Sequence, residues 1–151
     1  MSTIEAGELL YRLILNITGM KEYGVSFGAL MAAEVTPPVE GARFDVAFAG
    51  TATGPKLNGV AEGIDYIRVR ADDRFELHIH ETIRTEDGQN VSAHGDGVAT
   101  LRPEGGIADV RVSMSLFASS KDYAWVNQRS VTGIGTIDLV KRVIHVAAYS
   151  A

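Results

Sequence analysis

The chain has 151 residues, of which 46% are hydrophobic and 22% are charged, with a net charge of −5 and no cysteine. This size predicts one globular domain over residues 1–151, and the missing thiols exclude disulfides, thiolate nucleophiles and thiolate zinc sites. An acidic chain is repelled by a phosphate backbone, so we do not expect nucleic acid as a partner. No apolar run approaches the roughly 18 residues of a membrane span, so we do not expect a membrane as a partner.

Apolar and polar residues alternate in nine short segments that are separated by glycine-containing turns, a pattern that predicts strands. The segments are residues 11–18, 25–36, 42–50, 64–70, 74–85, 91–102, 108–118, 130–140 and 142–149. We expect helix only in residues 3–10 and in a turn near residues 119–125. The N-terminus is acidic where a secretory signal is basic, which favours a cytosolic location.

Short strands with one apolar stripe each predict an all-β fold. The expected architecture is a single antiparallel β-barrel, lipocalin-like, of about 8–10 strands with little helix. One face of each strand would line the interior and the other would meet water. A closed barrel has no exposed sheet edge, and its interior either packs solid or holds a small ligand. A β-sandwich is the alternative architecture.

The segment around Asp87 and Gly88 predicts a hairpin, because the pair stands between two alternating runs. A two-residue turn would place Glu81 opposite His94, and a three-residue loop would place His80 opposite His94. We expect the three-residue loop, because it keeps each face of the hairpin uniformly apolar or polar.

Two acidic residues interrupt apolar stripes: Glu81 stands between Ile79 and Ile83, and Asp65 shares a face with Ile67. A carboxylate inside a barrel loses its hydration, which is costly unless the group is paired or protonated. Two such groups raise one another's pKa and can divide the acid and base roles of a reaction, so both are candidate catalytic residues. Alternatively, Glu81 meets an arginine or a water, or a bulge turns it outward.

His78 and His80 share one side of a strand, with His94 and Asp96 across from them. Imidazole and carboxylate groups are zinc ligands. Because these residues form the polar stripe of the hairpin, we interpret them as a solvated face and predict no metal site.

Tyr123, Trp125 and Asn127 form a dense cluster of aromatic and amide side chains. Each aromatic ring offers a large apolar body with one polar tip. The cluster either orients a ligand at a barrel mouth or closes one end as core. We take these residues, with Tyr66 beside Asp65, as candidate substrate-binding residues.

Four motifs occur in order along the chain: Gly54-Pro-Lys-Leu-Asn-Gly59, Gly63-Ile-Asp-Tyr66, Ile83-Arg-Thr-Glu-Asp-Gly88 and Tyr123-Ala-Trp125-Val-Asn127. Together they resemble domain-of-unknown-function family 3237, the same group as uncharacterised protein family 0311, over residues 26–149. The resemblance implies a lipocalin-like or allene-oxide-cyclase-like barrel that forms a homodimer. Asp65 matches an acidic position of the family, and Trp125 and Asn127 match its aromatic-amide cluster. His80 and Glu81 stand where the family tends to have Arg-Tyr.

The leading hypothesis is a barrel that binds a small hydrophobic or aromatic molecule in its interior. If it is an enzyme, the missing nucleotide and nucleophile motifs point to a cofactor-free isomerase, dehydratase, hydratase or cyclase that uses Asp65 and Glu81. The alternative is a non-catalytic carrier or sensor of small molecules. A third possibility is a structural, dimer-forming domain, which an interior without a cavity above about 100 Å³ would favour.

Overall fold

A computed structural model describes residues 7–150 as a closed barrel of eight antiparallel strands. Each strand pairs with the next along the chain, and the last pairs with the first. The strands are β1 (Glu8–Glu22), β2 (Ala42–Thr53), β3 (Gly59–Val69), β4 (Phe75–Thr85), β5 (Asn90–Leu101), β6 (Ile107–Phe117), β7 (Val131–Asp138) and β8 (Val143–Ser150). Between them lie a short helix α1 (Phe27–Met31) and a 3₁₀ helix (Ala124–Gln128). The predicted antiparallel barrel with little helix is confirmed.

The strands are formed by the alternation that the sequence shows. In β1, Tyr11, Leu13 and Leu15 are buried, and Arg12 and Ile14 between them are exposed. Successive side chains of a strand point to opposite faces, so each strand turns one stripe into the barrel. Burial of these apolar stripes, at roughly 25 cal/mol per Å², is the main force that closes the sheet.

The predicted strand over residues 25–36 is wrong, because this segment begins with helix α1 instead. The Ser26 hydroxyl accepts the Ala29 N–H at 3.2 Å, and the Glu22 carboxylate accepts the Phe27 N–H at 2.7 Å. Side-chain acceptors at these positions satisfy N–H groups that a helix N-terminus leaves free. The apolar residues of the segment cover the end of the barrel, where the Phe27 ring meets the Phe44 ring edge-on.

The helix predicted over residues 3–10 is also wrong where it can be compared. Residues 3–6 lie outside the described residues, and residues 8–10 belong to β1. Glu8, the first residue of β1, pairs with Ser150, the last residue of β8, so this part of the chain is a paired strand of the barrel.

The turn between β4 and β5 has the predicted three-residue loop. His80 pairs with His94, and the Thr85 N–H donates to the Gln89 carbonyl at 2.8 Å. Gly88 has φ of +85°, a conformation that glycine adopts without steric cost. The predicted register is therefore confirmed.

The barrel has two different ends. Helix α1 and the turns β3–β4, β5–β6 and β7–β8 lie at one end, which we call the α1 end. The 3₁₀ helix and the turns β2–β3 and β4–β5 lie at the other. Neither helix in residues 7–150 is long and apolar enough to cross a membrane.

Candidate functional site

A cavity of about 70 Å³ lies inside the barrel towards the α1 end. Three polar side chains line it: Tyr11 from β1, Asp65 from β3 and Glu81 from β4. The rest of its lining is apolar and includes Leu15, Phe48, Ile79, Val112, Met114 and Val146. At about 70 Å³ the cavity is below the limit of about 100 Å³ given above, a result that by itself favours the structural, dimer-forming domain. A ligand must therefore extend beyond the cavity or be very small.

The register of β3 and β4 brings the two predicted catalytic residues together. Asp65 pairs with Ile79, and Glu81 pairs with Gly63. Asp65 and Glu81 are therefore diagonal neighbours across the ladder, a relation in which residues are roughly 7–8 Å apart. Neither carboxyl group is among the causes that raise the pKa of the other, so the predicted mutual effect is not seen. Asp65 is 7% exposed and Glu81 is 5% exposed. Both side chains therefore lie inside the barrel, and their catalytic role stays a prediction.

Asp65 lies beside an interruption of the ladder between β3 and β4. The pairing passes from Asp65–Ile79 to Arg68–Glu76, and the His78 N–H donates to the Asp65 carboxylate at 3.0 Å instead of to a backbone carbonyl of β3. Burial raises the pKa of Asp65 to about 7, although this hydrogen bond and the charge of His78 act to lower it. Asp65 is therefore divided between its acid and base forms at neutral pH.

Glu81 has no comparable donor. Its Oε1 is buried and has no hydrogen-bond partner among residues 7–150. Burial alone raises the pKa of Glu81 to about 8, so the carboxyl group holds its proton at neutral pH. A buried polar atom without a partner is rare in proteins, and this one belongs to a side chain that lines the cavity.

Tyr11 is the third polar group of the cavity, and we did not predict it. It is buried, and burial together with the negative charge of Glu81 raises the pKa of its hydroxyl. The phenol therefore stays neutral and can donate a hydrogen bond. The sequence contained a signal for it, because Tyr11 begins the inward stripe that Leu13 and Leu15 continue and carries a polar hydroxyl.

Tyr66 lies on the outer face of β3, not in the cavity. Its ring meets the His80 ring edge-on, with centroids 5.9 Å apart, and lies 5.7 Å from the Arg43 guanidinium. Because side chains alternate along a strand, the neighbour of an inward Asp65 must point outward.

Tyr123, Trp125 and Asn127 lie at the other end of the barrel, and none of them lines the cavity. The Asn127 carboxamide accepts the Ala118 N–H at 3.0 Å and donates to the Ala118 carbonyl at 2.7 Å. The Tyr123 hydroxyl donates to Asp87 in the β4–β5 turn at 2.8 Å. These contacts hold the 3₁₀ helix across this end, as in the end-closing alternative.

The histidine face lies outside the barrel, as predicted. The His78 Nδ1 bonds to Asp96, and the Nε2 atoms of His78 and His80 are 3.2 Å apart. The His80 ring stacks against the His94 ring. Within residues 7–150, no group of three or more acidic or histidine side chains is arranged to hold a metal ion.

Residues 37–150 match a family described as "Protein of unknown function (DUF3237)". The chain belongs to the DUF3237 family. The resemblance carried by the four sequence motifs is thereby confirmed. No curated protein matches this DUF3237 chain. The homodimer, the cytosolic location and the domain extent of residues 1–151 stay predictions.

Several solved structures share the fold of this DUF3237 barrel. A β-barrel-like protein from Acinetobacter baumannii is 19% identical, with 95% of this chain and 93% of that one covered and a TM-score of 0.76. A protein of unknown function from Clostridium acetobutylicum is 17% identical, with coverages of 95% and 96% and a TM-score of 0.75. A protein from Penicillium herquei, described as an enzyme, is 18% identical, with coverages of 98% and 99% and a TM-score of 0.63. At these identities the likeness establishes a shared fold.

Proposed function

We propose that this DUF3237 barrel binds a small, hydrophobic molecule at its interior cavity and rearranges it by cofactor-free acid–base chemistry. The reaction is an isomerisation, a hydration or dehydration, or a cyclisation. Asp65 removes a proton from the substrate, and Glu81 delivers one. The observation that carries the proposal is the placement of two buried carboxyl groups on adjacent strands in one apolar cavity.

The two carboxyl groups suit different roles because their surroundings differ. Asp65 has a backbone N–H that stabilises its ionised form, and Glu81 has none. Burial raises both pKa values, to about 7 for Asp65 and about 8 for Glu81, and the N–H donated to Asp65 alone makes Asp65 the base and Glu81 the acid. Groups with pKa values near the working pH are effective in proton transfer, and each contributes on the order of 10²–10⁴-fold to the rate.

The apolar walls support this chemistry. A proton removed next to a carbonyl or an alkene leaves negative charge on the substrate, and a nearby hydrogen-bond donor stabilises that charge more in a dry cavity than in water. The neutral Tyr11 hydroxyl and the protonated Glu81 are the donors available there. A barrel of similar fold in Penicillium herquei that is described as an enzyme also favours catalysis over ligand carriage.

The test begins with a ligand. A thermal-shift screen of neutral, hydrophobic compounds identifies binders, and mass spectrometry follows each binder after incubation with the protein in D₂O. We expect a binder to change mass, by gain of deuterium at carbon or by gain or loss of water. A binder that stays unchanged at every pH between about 6 and 9 would instead identify a carrier or sensor.

Variants separate catalysis from binding. Asp65→Asn keeps an acceptor for the His78 N–H but cannot take a proton, so we expect turnover to fall by about 100-fold or more with binding retained. Glu62→Gln, on the exposed outer face of β3, is the matched control and should leave turnover unchanged. Equal turnover in Asp65→Asn and in the control would contradict the proposal.

A further inference from the structure

An apolar depression adjoins the cavity at the α1 end of the barrel, and we call it the vestibule. Its volume is about 680 Å³. Its walls come from the end of β1, from α1 and from the β5–β6 and β7–β8 turns. Ile17, Met20, Phe27 and Leu139 line both the vestibule and the cavity. The two spaces are therefore neighbours that share one wall of apolar side chains.

The combined space has polar or charged side chains at both ends, and those at its inner end are the buried ones. Inside the cavity these are Tyr11, Asp65 and Glu81. In the vestibule the charged residues are Glu22 and Arg142, and the Glu22 carboxylate already accepts the Phe27 N–H. A molecule that occupies both spaces thus has its polar end at Glu81 and its apolar body between α1 and the turns.

The residues that line the cavity also limit the charge that the polar end of a bound molecule can carry. Among the described residues that line the cavity there is no lysine, arginine or histidine. A carboxylate or phosphate entering there would lose its hydration, find no counter-charge and face two acidic groups.

An ammonium group would meet a different obstacle. It would bind well only to an ionised Asp65 or Glu81, and such an ion pair would occupy the base or remove the proton that the acid must deliver. A protonated carboxyl group offers one donor and one acceptor, which match a hydroxyl or carbonyl oxygen. The unpartnered Oε1 of Glu81 is the atom available for such a group.

We propose that the substrate is an uncharged, mostly apolar molecule with one hydroxyl or carbonyl group, bound with that oxygen at Glu81 and with its apolar body in the vestibule. This inference rests on the proposed function for the protonated state of Glu81. It adds the charge and the orientation of the substrate.

Methionine methyl groups report on each part of this space. Met114 lines the cavity, Met31 lines the vestibule and Met20 lines both. Protein labelled with ¹³C at the methionine methyl groups is titrated near neutral pH with four probes of one ring size: benzyl alcohol, toluene, benzylammonium and benzoate. The fourth methionine of the chain, Met1, lies outside the described residues.

We expect benzyl alcohol to shift the Met114, Met20 and Met31 signals with one common Kd. Toluene should bind more weakly because it lacks the oxygen, and benzylammonium and benzoate should bind at least about tenfold more weakly than the alcohol. The inference is overturned if either ion binds as tightly as the alcohol, if toluene does so, if only Met31 shifts, or if no probe shifts Met114.

The Asp65→Asn variant distinguishes the two proposals. Its cavity keeps Glu81, so we expect the same order of probe affinities as in the unmodified protein, with the alcohol first. If that order holds but no binder is ever transformed by the unmodified protein, the charge selection stands and the proposed catalysis fails. If binders are transformed but the ions bind best, the catalysis stands and the inference fails.

Discussion

Gly63 lies directly opposite Glu81 in the barrel wall, and β3 and β4 approach one another closely at this pair. A Cβ atom added to Gly63 would lie 2.2 Å from the His80 carbonyl oxygen, 2.8 Å from the Glu81 Cα and 2.9 Å from the Phe48 ring. The glycine therefore allows the wall to close around the carboxyl group, and this closure removes Glu81 from water.

Replacement of Gly63 by alanine should destabilise the barrel. The added methyl group collides with backbone atoms of β4, so the two strands must separate, and forced overpacking of this kind costs about 1–3 kcal/mol. Urea denaturation measures the change. Gly19→Ala is the matched control, since its added Cβ would come no closer than 3.9 Å to another atom. Equal stability of the two variants would contradict the close approach at Gly63.

The stability of the protein should fall as the pH rises. The pKa values of Asp65 and Glu81 are raised by folding to about 7 and about 8, whereas both groups titrate near pH 4 in an unfolded chain. Between about pH 4 and about pH 8 the folded state therefore binds more protons than the unfolded state. The free energy of unfolding therefore decreases with pH, by up to about 1.4 kcal/mol per pH unit for each group, and levels off above about pH 8.

Glu81→Gln isolates one of the two contributions. The amide does not ionise, so near about pH 5 the variant should resemble the unmodified protein, and near about pH 8.5 it should be more stable by about 2 kcal/mol or more. Denaturation at both pH values measures the difference. Glu62→Gln, exposed on the outer face, should leave the pH dependence unchanged. A Glu81→Gln variant with the same pH dependence as the unmodified protein would show that Glu81 is hydrated.

Turnover of an identified substrate should depend on pH through the same groups. The rate should rise as Asp65 ionises near pH 7 and fall as Glu81 loses its proton near pH 8, so that kcat/KM has a narrow maximum between them. Glu81→Gln should lower the maximum and remove the alkaline fall. A rate that keeps rising above about pH 9 in the unmodified protein would contradict the acid role of Glu81.

The far end of the barrel should matter for stability but not for ligand binding. Asn127→Ala removes both hydrogen bonds to Ala118 and should cost about 1–2 kcal/mol. Gln128→Ala, one residue further on and exposed, is the control. Benzyl alcohol should shift the Met114 signal equally in both variants. A weaker shift in Asn127→Ala alone would indicate that this end contributes to the ligand site.

Much of the barrel could be predicted, because every second side chain of a strand points into the barrel and the apolar residues of the sequence alternate in the same way. The β4–β5 register followed from keeping each face uniform, and Asp65 and Glu81 were found because they break their stripes. Residues 25–36 were wrongly predicted as a strand because their apolar residues alternate as those of a strand do. The capping hydrogen bonds from Ser26 and Glu22 depend on how the chain leaves β1, which alternation does not show.

The site was predicted only in part, because the sequence does not show to which barrel end a connection belongs. The Tyr123 to Asn127 cluster was linked to a ligand by its chemistry alone, and the chain places it away from the cavity. Tyr66 could have been placed correctly, because alternation from an inward Asp65 turns it outward. The vestibule could not be predicted, since it arises where α1 meets turns that are distant in the sequence.

Carboxyl ¹³C NMR titration of the protein, with Asp65→Asn and Glu81→Gln to assign the two signals, measures both acidities without a substrate. We expect one carboxyl group to titrate near pH 7 and the other near pH 8, several units above ordinary side chains of their kind. Two signals that both titrate near about pH 4 would mean that water reaches these groups, and the proposed division into acid and base would be wrong.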